Sequence, residues 1–252
     1  MPVSSVQYGQ NPWHYANGLK ITNDGTTPDE IIDIATGSIL DSTGVYQITT
    51  DAVLSPDITQ DGLNGLDTGT VAASTVYAVH LVADPVTLQE TGAMFSLSST
   101  APLLPFGYSA FALIGFVVTD GTSDILLGSW TGGNDTRRTF VFDAPIATAV
   151  TAGNATSYTA VSLAAFVPAV QDTPVSIAFA FTPGAASRTF NMTPGNGVGN
   201  AVTITGQVTA VVISDNVEVF AKVTSGVPEI DYKVANGGDA VAINVAGYDF
   251  FI

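Results

Sequence analysis

The sequence predicts an all-β protein, built as two antiparallel β-sandwich-like domains. Three observations carry this. Short runs rich in Val, Ile, Thr, Phe and Tyr recur along the chain, punctuated by clusters of Gly, Pro, Asn and Asp. Apolar residues at helical spacing are almost absent. Of the 252 residues, 46% are apolar, enough to bury a sizeable core in one large β domain or two ordinary ones.

The first expected element is a hairpin. Residues Asn17 to Ile21 and Ile31 to Ala35 flank a turn in which Asn23, Asp24 and Gly25 tolerate positive φ. Val45 to Thr49 alternates in the strand manner, and Thr75 to Val82 is β-branched and aromatic. Phe111 to Val118 is continuously apolar, as a strand covered on both faces should be, and Asp120-Gly121 then turns the chain toward Ile125 to Leu127. That hairpin is the expected core of the first domain. Thr139 to Phe142 is an aromatic strand, after which Asp143-Ala144-Pro145 marks a boundary between residues 1–145 and residues 146–252.

The second half reads as a β-sandwich. Its strands are expected at Thr156 to Ser162, Val175 to Phe181, Ser187 to Met192, Ala201 to Val212, Val217 to Val223, Ile230 to Val234 and Ala240 to Val245. They recur at a spacing of roughly 8 to 12 residues, the signature of a sandwich. Asn236-Gly237-Gly238-Asp239 has the turn chemistry to join the last two as a tight hairpin. The chain ends on Tyr248, Phe250, Phe251 and Ile252, too apolar for a frayed terminus, so burial is expected in its own domain or against a neighbour.

Three blocks carry a resemblance: NGLKITNDGTTPDEIIDIATGSILDSTGVYQI (17–48), NGLDTGTVAASTVYAVHLVADP (64–85) and TGAMFSLSSTAPLLPFGYSAFALIGFVVTDGTSDILLG (91–128). In this order they resemble signposts of structural proteins of tailed bacteriophages, of the fibre-like or head-decoration-like β type. The terminal GGDAVAINVAGYDFFI resembles the closing strand of such proteins. The resemblance implies a virion subunit that works by assembly contacts with other phage structural proteins and with copies of itself, a trimer being the favoured state. No internal repeat or heptad segment encodes a long shaft, so a compact knob, adaptor or shell-decorating subunit is the form expected.

Charge excludes several classes. Six Lys and Arg stand against 22 Asp and Glu, a net charge of −16, so no basic cluster can neutralise successive phosphates and nucleic-acid binding is not expected. Only 11% of residues are charged, against about 25% in an average domain, which leaves a surface of uncharged polar groups that desolvate cheaply at subunit contacts. The basic pair Arg137-Arg138 reads as local salt bridging or as an edge-strand guard, with a contact to an acidic neighbouring subunit as its functional reading. There is no cysteine, hence no disulfide or thiolate metal site. The N-terminus lacks the pattern of a secretory signal, and no apolar run reaches the roughly 20 residues of a membrane helix. We therefore expect synthesis in the host cytoplasm, residence in the virion and no membrane insertion.

Reactive groups are few. His80 lies within a strand, where a solvent-facing or satisfied position is expected, and His14 sits between Trp13 and Tyr15. Gly107-Tyr108-Ser109-Ala110-Phe111 lacks the second glycine of a nucleophile elbow. Asp29, Glu30 and Asp33 cluster in sequence without establishing the spacing of a glycosidase pair. Asp57, Asp61, Asn64 and Asp67 offer oxygen ligands, but not at the spacing of an EF-hand loop. No catalytic residue, metal or cofactor is expected. The candidate subunit contacts are Trp13, Tyr15, Phe250 and Phe251. The alternative function, a receptor module for host surface glycans, rests on Trp130 as a stacking residue before the loop TGGNDT; its competing reading is a core tryptophan.

Overall fold

The computed structural model describes residues 16–84, 91–131, 137–143, 147–170, 172–195 and 202–251. Trp13 and Tyr15 lie outside the described residues, as does the tip of the loop after Trp130. The described chain contains strands and no helix, in the all-β class read from the sequence. The N-terminal strands are β1 (Ala16–Gly18), β2 (Ile21–Asn23), β3 (Ile32–Ile34), β4 (Gly37–Leu40) and β5 (Gln47–Thr50). Next come β6 (Val76–Ala83), β7 (Thr91–Ser96), β8 (Ala110–Val118), β9 (Gly128–Thr131) and β10 (Arg137–Phe142). The remainder are β11 (Ala147–Gly153), β12 (Thr159–Ser162), β13 (Thr173–Thr182) and β14 (Arg188–Pro194), then β15 (Val202–Gly206), β16 (Ile213–Thr224), β17 (Val227–Val234) and β18 (Ala240–Phe251).

The spine of the molecule is a long antiparallel sheet running β15-β14-β17-β16-β13-β18-β10-β9-β2-β3, with β11 added on β18 and β12 on β17. Strand β16 bends it. Its N-terminal part, as far as Ala221, pairs with β13, and from Lys222 onward it pairs with β17. A strand that changes partners in this way turns a corner and folds the sheet onto itself as a sandwich. The three-stranded sheet β7-β6-β8 covers the other part of the same inner face.

Side-chain alternation decides which face is inside. On β10, Arg138, Phe140 and Phe142 point inward while Arg137 and Val141 point out. On β13, Val175, Ile177, Phe179 and Phe181 are buried, and on β18 Val241, Ile243 and Val245 follow the same rule. Phe190 of β14 packs on Phe179 and Phe181 at ring separations of 5.4 and 5.8 Å. At the other end Phe250 meets Phe116 of β8 at 5.3 Å and Trp130 at 5.3 Å. Beside them Gly115 leaves room for Ile21, since a Cβ there would lie 2.6 Å from Ile21 Cδ1.

Several expectations are refined. The opening hairpin forms as β2 and β3, with Ile21 opposite Ile34. Phe111 to Val118 is β8, but its partner is β6, in register from Val76 with Val118 to Ala83 with Ala110. The segment after Asp120 makes only a bridge between Thr119 and Ile125, because Asp120 ties the turn down through the amides of Thr122 and Asp124 and Ile125 donates instead to Asp29. The expected strand from Ala201 to Val212 stops at Gly206, and Ala210 takes a left-handed φ of 59°.

The last two strands are not a hairpin. β17 lies between β14 and β16, whereas β18 lies between β13 and β10. The Asn236–Asp239 turn is real: Asp239 receives the amides of Asn236 and Gly184. It carries the chain across the sandwich rather than back along it. The tight hairpin joins β16 to β17 instead, through Ser225 and Gly226 at φ 51° and 84°, the backbone of a type I′ turn. Around the expected boundary, β18 hydrogen-bonds to β10 on one side of residue 145 and to β11 and β13 on the other.

Candidate functional site

The most exposed apolar feature is the loop from Leu97 to Tyr108, which joins β7 to β8. Twelve successive residues carry no charge. Phe106 is fully exposed, and Leu97 and Leu103 are 69% and 62% exposed. Pro105, with Gly107 at φ +93°, bends the chain so that the Phe106 ring leaves the sheet. The loop is nevertheless braced. Ser98 Oγ accepts the Ala101 amide at 2.9 Å, Asp67 Oδ2 accepts the Leu103 amide at 3.0 Å, and the Tyr108 amide donates to Pro105 at 3.1 Å.

His80 anchors the loop from below. It is wholly buried, and its Nε2 lies 2.8 Å from the carbonyl of Ser98. A carbonyl only accepts, so the proton sits on Nε2, leaving Nδ1 as a buried lone pair without a partner. The ring is held edge-on to Phe111 at 5.7 Å. Burial lowers its pKa below the usual 6.5, opposed by the Ser98 carbonyl and the Asp67 charge. His80 is therefore a neutral strut, not a solvent-facing residue.

Beside Leu97 opens a cleft of about 260 Å³. It lies where the sheet β7-β6-β8 meets the segment between β12 and β13 and the β16–β17 hairpin. Val76, Phe116, Val167, Pro168, Val170 and Pro228 give it apolar surface, Ser74, Thr75 and Ser99 give it polar surface, and no charged residue lines it among the described residues. Ala169 stands exposed at its rim.

A second depression, about 250 Å³, lies on the outer face of the spine sheet between β10, β18, β13 and β16. Arg137 Nε donates to Asp249 Oδ2 at 2.9 Å, Nη2 contacts the same carboxylate, and Nη2 reaches Glu218 at 3.4 Å. Thr139, Ser176 and Asn216 supply neutral polar groups around this network. Two half-exposed rings flank it: Phe251, opposite Arg137 in the ladder, and Phe220, opposite Pro174.

The basic pair thus divides. Arg137 makes the local ion pairs expected of it. Arg138 is buried and donates to the carbonyls of Leu19, Gly18 and Ile114 at 2.6, 3.0 and 3.2 Å. Without a carboxylate partner, burial lowers its pKa to about 10. Arg138 is a strut between β10, the β1–β2 connection and β8.

Trp130 and Phe250 also face inward. Trp130 is 3% exposed and packed among Phe140, Tyr248 and Phe250. An indole so enclosed has no face to offer a sugar, which corrects its reading as a stacking platform in favour of the core reading. Phe250 is buried within its own chain and offers no subunit contact, while its neighbour Phe251 is 58% exposed. Asp57, Asn64 and Asp67 hold backbone amides of Thr59, Ala93 and Leu103 respectively. Sequence reading passed over Phe106, Leu97 and Leu103 as contact residues. The available signal was an uncharged run with Pro105 before Phe106 and Gly107 after it.

No family model matches the chain. No curated protein matches it either. Among solved structures, TmCBM61 in complex with beta-1,4-galactotriose aligns over 51% of this chain and 72% of its own, at 14% identity and a TM-score of 0.23. The VP2 subviral particle of infectious bursal disease virus aligns over 97% of this chain and 74% of its own, at 10% identity and a TM-score of 0.28. An exo-beta-1,3-galactanase from Phanerochaete chrysosporium with galactose covers 94% of this chain and 57% of its own, at 14% identity and a TM-score of 0.20. At these scores the likeness assigns neither a shared fold nor a shared activity.

Proposed function

We propose that this chain is a structural subunit of a tailed-bacteriophage virion, a capsid-decoration or tail-associated protein that acts through assembly contacts rather than by chemistry. The observation that carries the reading is the braced, uncharged loop that holds Phe106 wholly in solvent. An exposed aromatic ring on a pre-ordered loop is costly to leave wet and needs little further ordering when it is covered, which is how a subunit contact is built. The three sequence blocks that resemble phage structural proteins supply the biological setting. Immunogold labelling of intact phage tests it. Label over the head or the tail is the expected result. Absence of the chain from purified particles, measured by mass spectrometry, contradicts it.

A second reading, a glycan-binding module, is favoured by the outer groove. Arg137, Glu218 and Asn216 offer donors and acceptors for sugar hydroxyls, and Phe220 and Phe251 offer apolar faces beside them. A glycan array with wild-type, Phe220→Ala and Trp130→Phe proteins tests this placement. Binding lost in Phe220→Ala and kept in Trp130→Phe supports the groove; no glycan bound removes the reading.

A further inference from the structure

The exposed Phe106 and the uncharged cleft beside Leu97 are features of matching size that no contact among the described residues unites. We infer that Phe106 of one copy seats in the cleft of a second copy of this chain. The inference rests on the assembly reading above and names the contact that it requires.

Size is the first argument. An apolar cavity of about 150 Å³ accommodates a benzene ring, so a cleft of about 260 Å³ has room for a phenylalanine side chain and part of the loop behind it. The lining is mixed: Val76, Phe116, Val167 and Val170 supply carbon for a ring, and Ser74, Thr75 and Ser99 supply polar groups for the loop backbone behind it. Charge is the second. Each copy carries −16, so two copies repel unless the surfaces that meet are neutral. The loop 97–108 has no charged residue and the cleft lining has none. Among the described residues, neither surface therefore brings a charged side chain of its own to the contact.

Preorganisation is the third. The amides of Ala101 and Leu103 are held by Ser98 and Asp67, and His80 holds the Ser98 carbonyl, so the loop loses little freedom on docking. The fourth is position. Leu97 belongs to the loop and also lines the cleft, so donor and acceptor surfaces adjoin. A subunit that inserts its own ring into one neighbour presents its cleft close by to another, and the contact serves either a reciprocal pair or a closed ring.

The test is complementation between two variants of the full chain. Phe106→Ser removes the inserting ring and leaves the cleft; Ala169→Arg obstructs the cleft and leaves the ring. Both positions are exposed, and unchanged circular dichroism and thermal melting show that each variant folds. Sedimentation velocity is expected to give a self-associating wild type and variants that associate about 30-fold or more weakly, the effect of losing an anchor residue. An equimolar mixture should recover a dimer, because each variant retains what the other lacks. If the folded variants associate as the wild type does, or if both are monomeric and their mixture stays monomeric, this contact is wrong although the chain still assembles. A wild type that is monomeric throughout overturns both this contact and self-assembly.

Discussion

For single residues, one buried cation ties strands of the N-terminal half of the chain together. Arg138 satisfies three backbone carbonyls, those of Gly18 and Leu19 in the β1–β2 connection and that of Ile114 in β8. Replacing it with Met keeps most of the packing volume and leaves those acceptors unpaired. Each unsatisfied buried group costs about 1–3 kcal/mol, so Arg138→Met is expected to destabilise the fold by about 3 kcal/mol and lower Tm by roughly 6–12 °C for a chain of this size. Differential scanning calorimetry measures this; an unchanged Tm would show that the strut is dispensable. His80 makes a pH prediction. Its folded pKa is below the 6.5 of an unfolded histidine, so the unfolded chain binds the proton more readily. Its contribution to stability is whole above pH 6.5 and drains as pH falls through the folded value. Urea melts should therefore steepen in their pH dependence below 6.5, and His80→Leu should flatten that component.

The same scale shows why site residues were only partly legible. Trp130 sits in Gly-Ser-Trp-Thr, and strand alternation guarantees that it faces opposite to Ser129. Nothing local says which of the two faces is the core; the pairing of Trp130 with Phe140 settles it. Phe250 and Phe251 make the point again, since adjacent phenylalanines on a strand must point to opposite sides. Pro105 and Gly107 mark a bend around Phe106 but not an exposed ring, because exposure depends on what the loop fails to pack against.

At the scale of elements, local turn chemistry was readable and partner choice was not. Asn236 to Asp239 forms the turn its residues predict, yet the strands on either side belong to different layers of the sandwich. Ser225-Gly226 carries a weaker sequence signal and makes the tight hairpin. Gly226 at φ 84° has open space around it, so a Cβ is penalised by backbone strain alone. Gly226→Ala is expected to cost about 1 kcal/mol, while Ser225→Asn, which suits a left-handed φ, should be neutral or stabilising. Chemical denaturation of both variants checks this; equal loss from the two would point to a side-chain role for the turn. Strand β8 was evident because a strand buried on both faces is continuously apolar, and β6 because its residues are β-branched and aromatic. Strand β7, Thr91–Ser96, was missed because its glycine and small residues do not read as strand. Gly92 is small because Leu63 packs where a side chain would stand.

At the scale of the whole molecule, charge and composition describe a protein suited to being covered. An acidic chain with few charges keeps copies apart except where neutral surface meets neutral surface, and its described surface includes a neutral loop and a neutral cleft side by side. The all-β class followed from periodicity and turn residues alone. The continuity of the spine sheet through β10, β18 and β13 did not, because β18 pairs with β10 across more than a hundred residues and with β13 across more than fifty, and such pairing leaves no mark in local sequence. Self-association through Phe106 is measured most directly by sedimentation equilibrium of the purified wild-type chain across a wide concentration range. A mass that rises with concentration, and that falls back to the monomer in Phe106→Ser, is the predicted result. A wild-type chain that remains monomeric into the high micromolar range would contradict it.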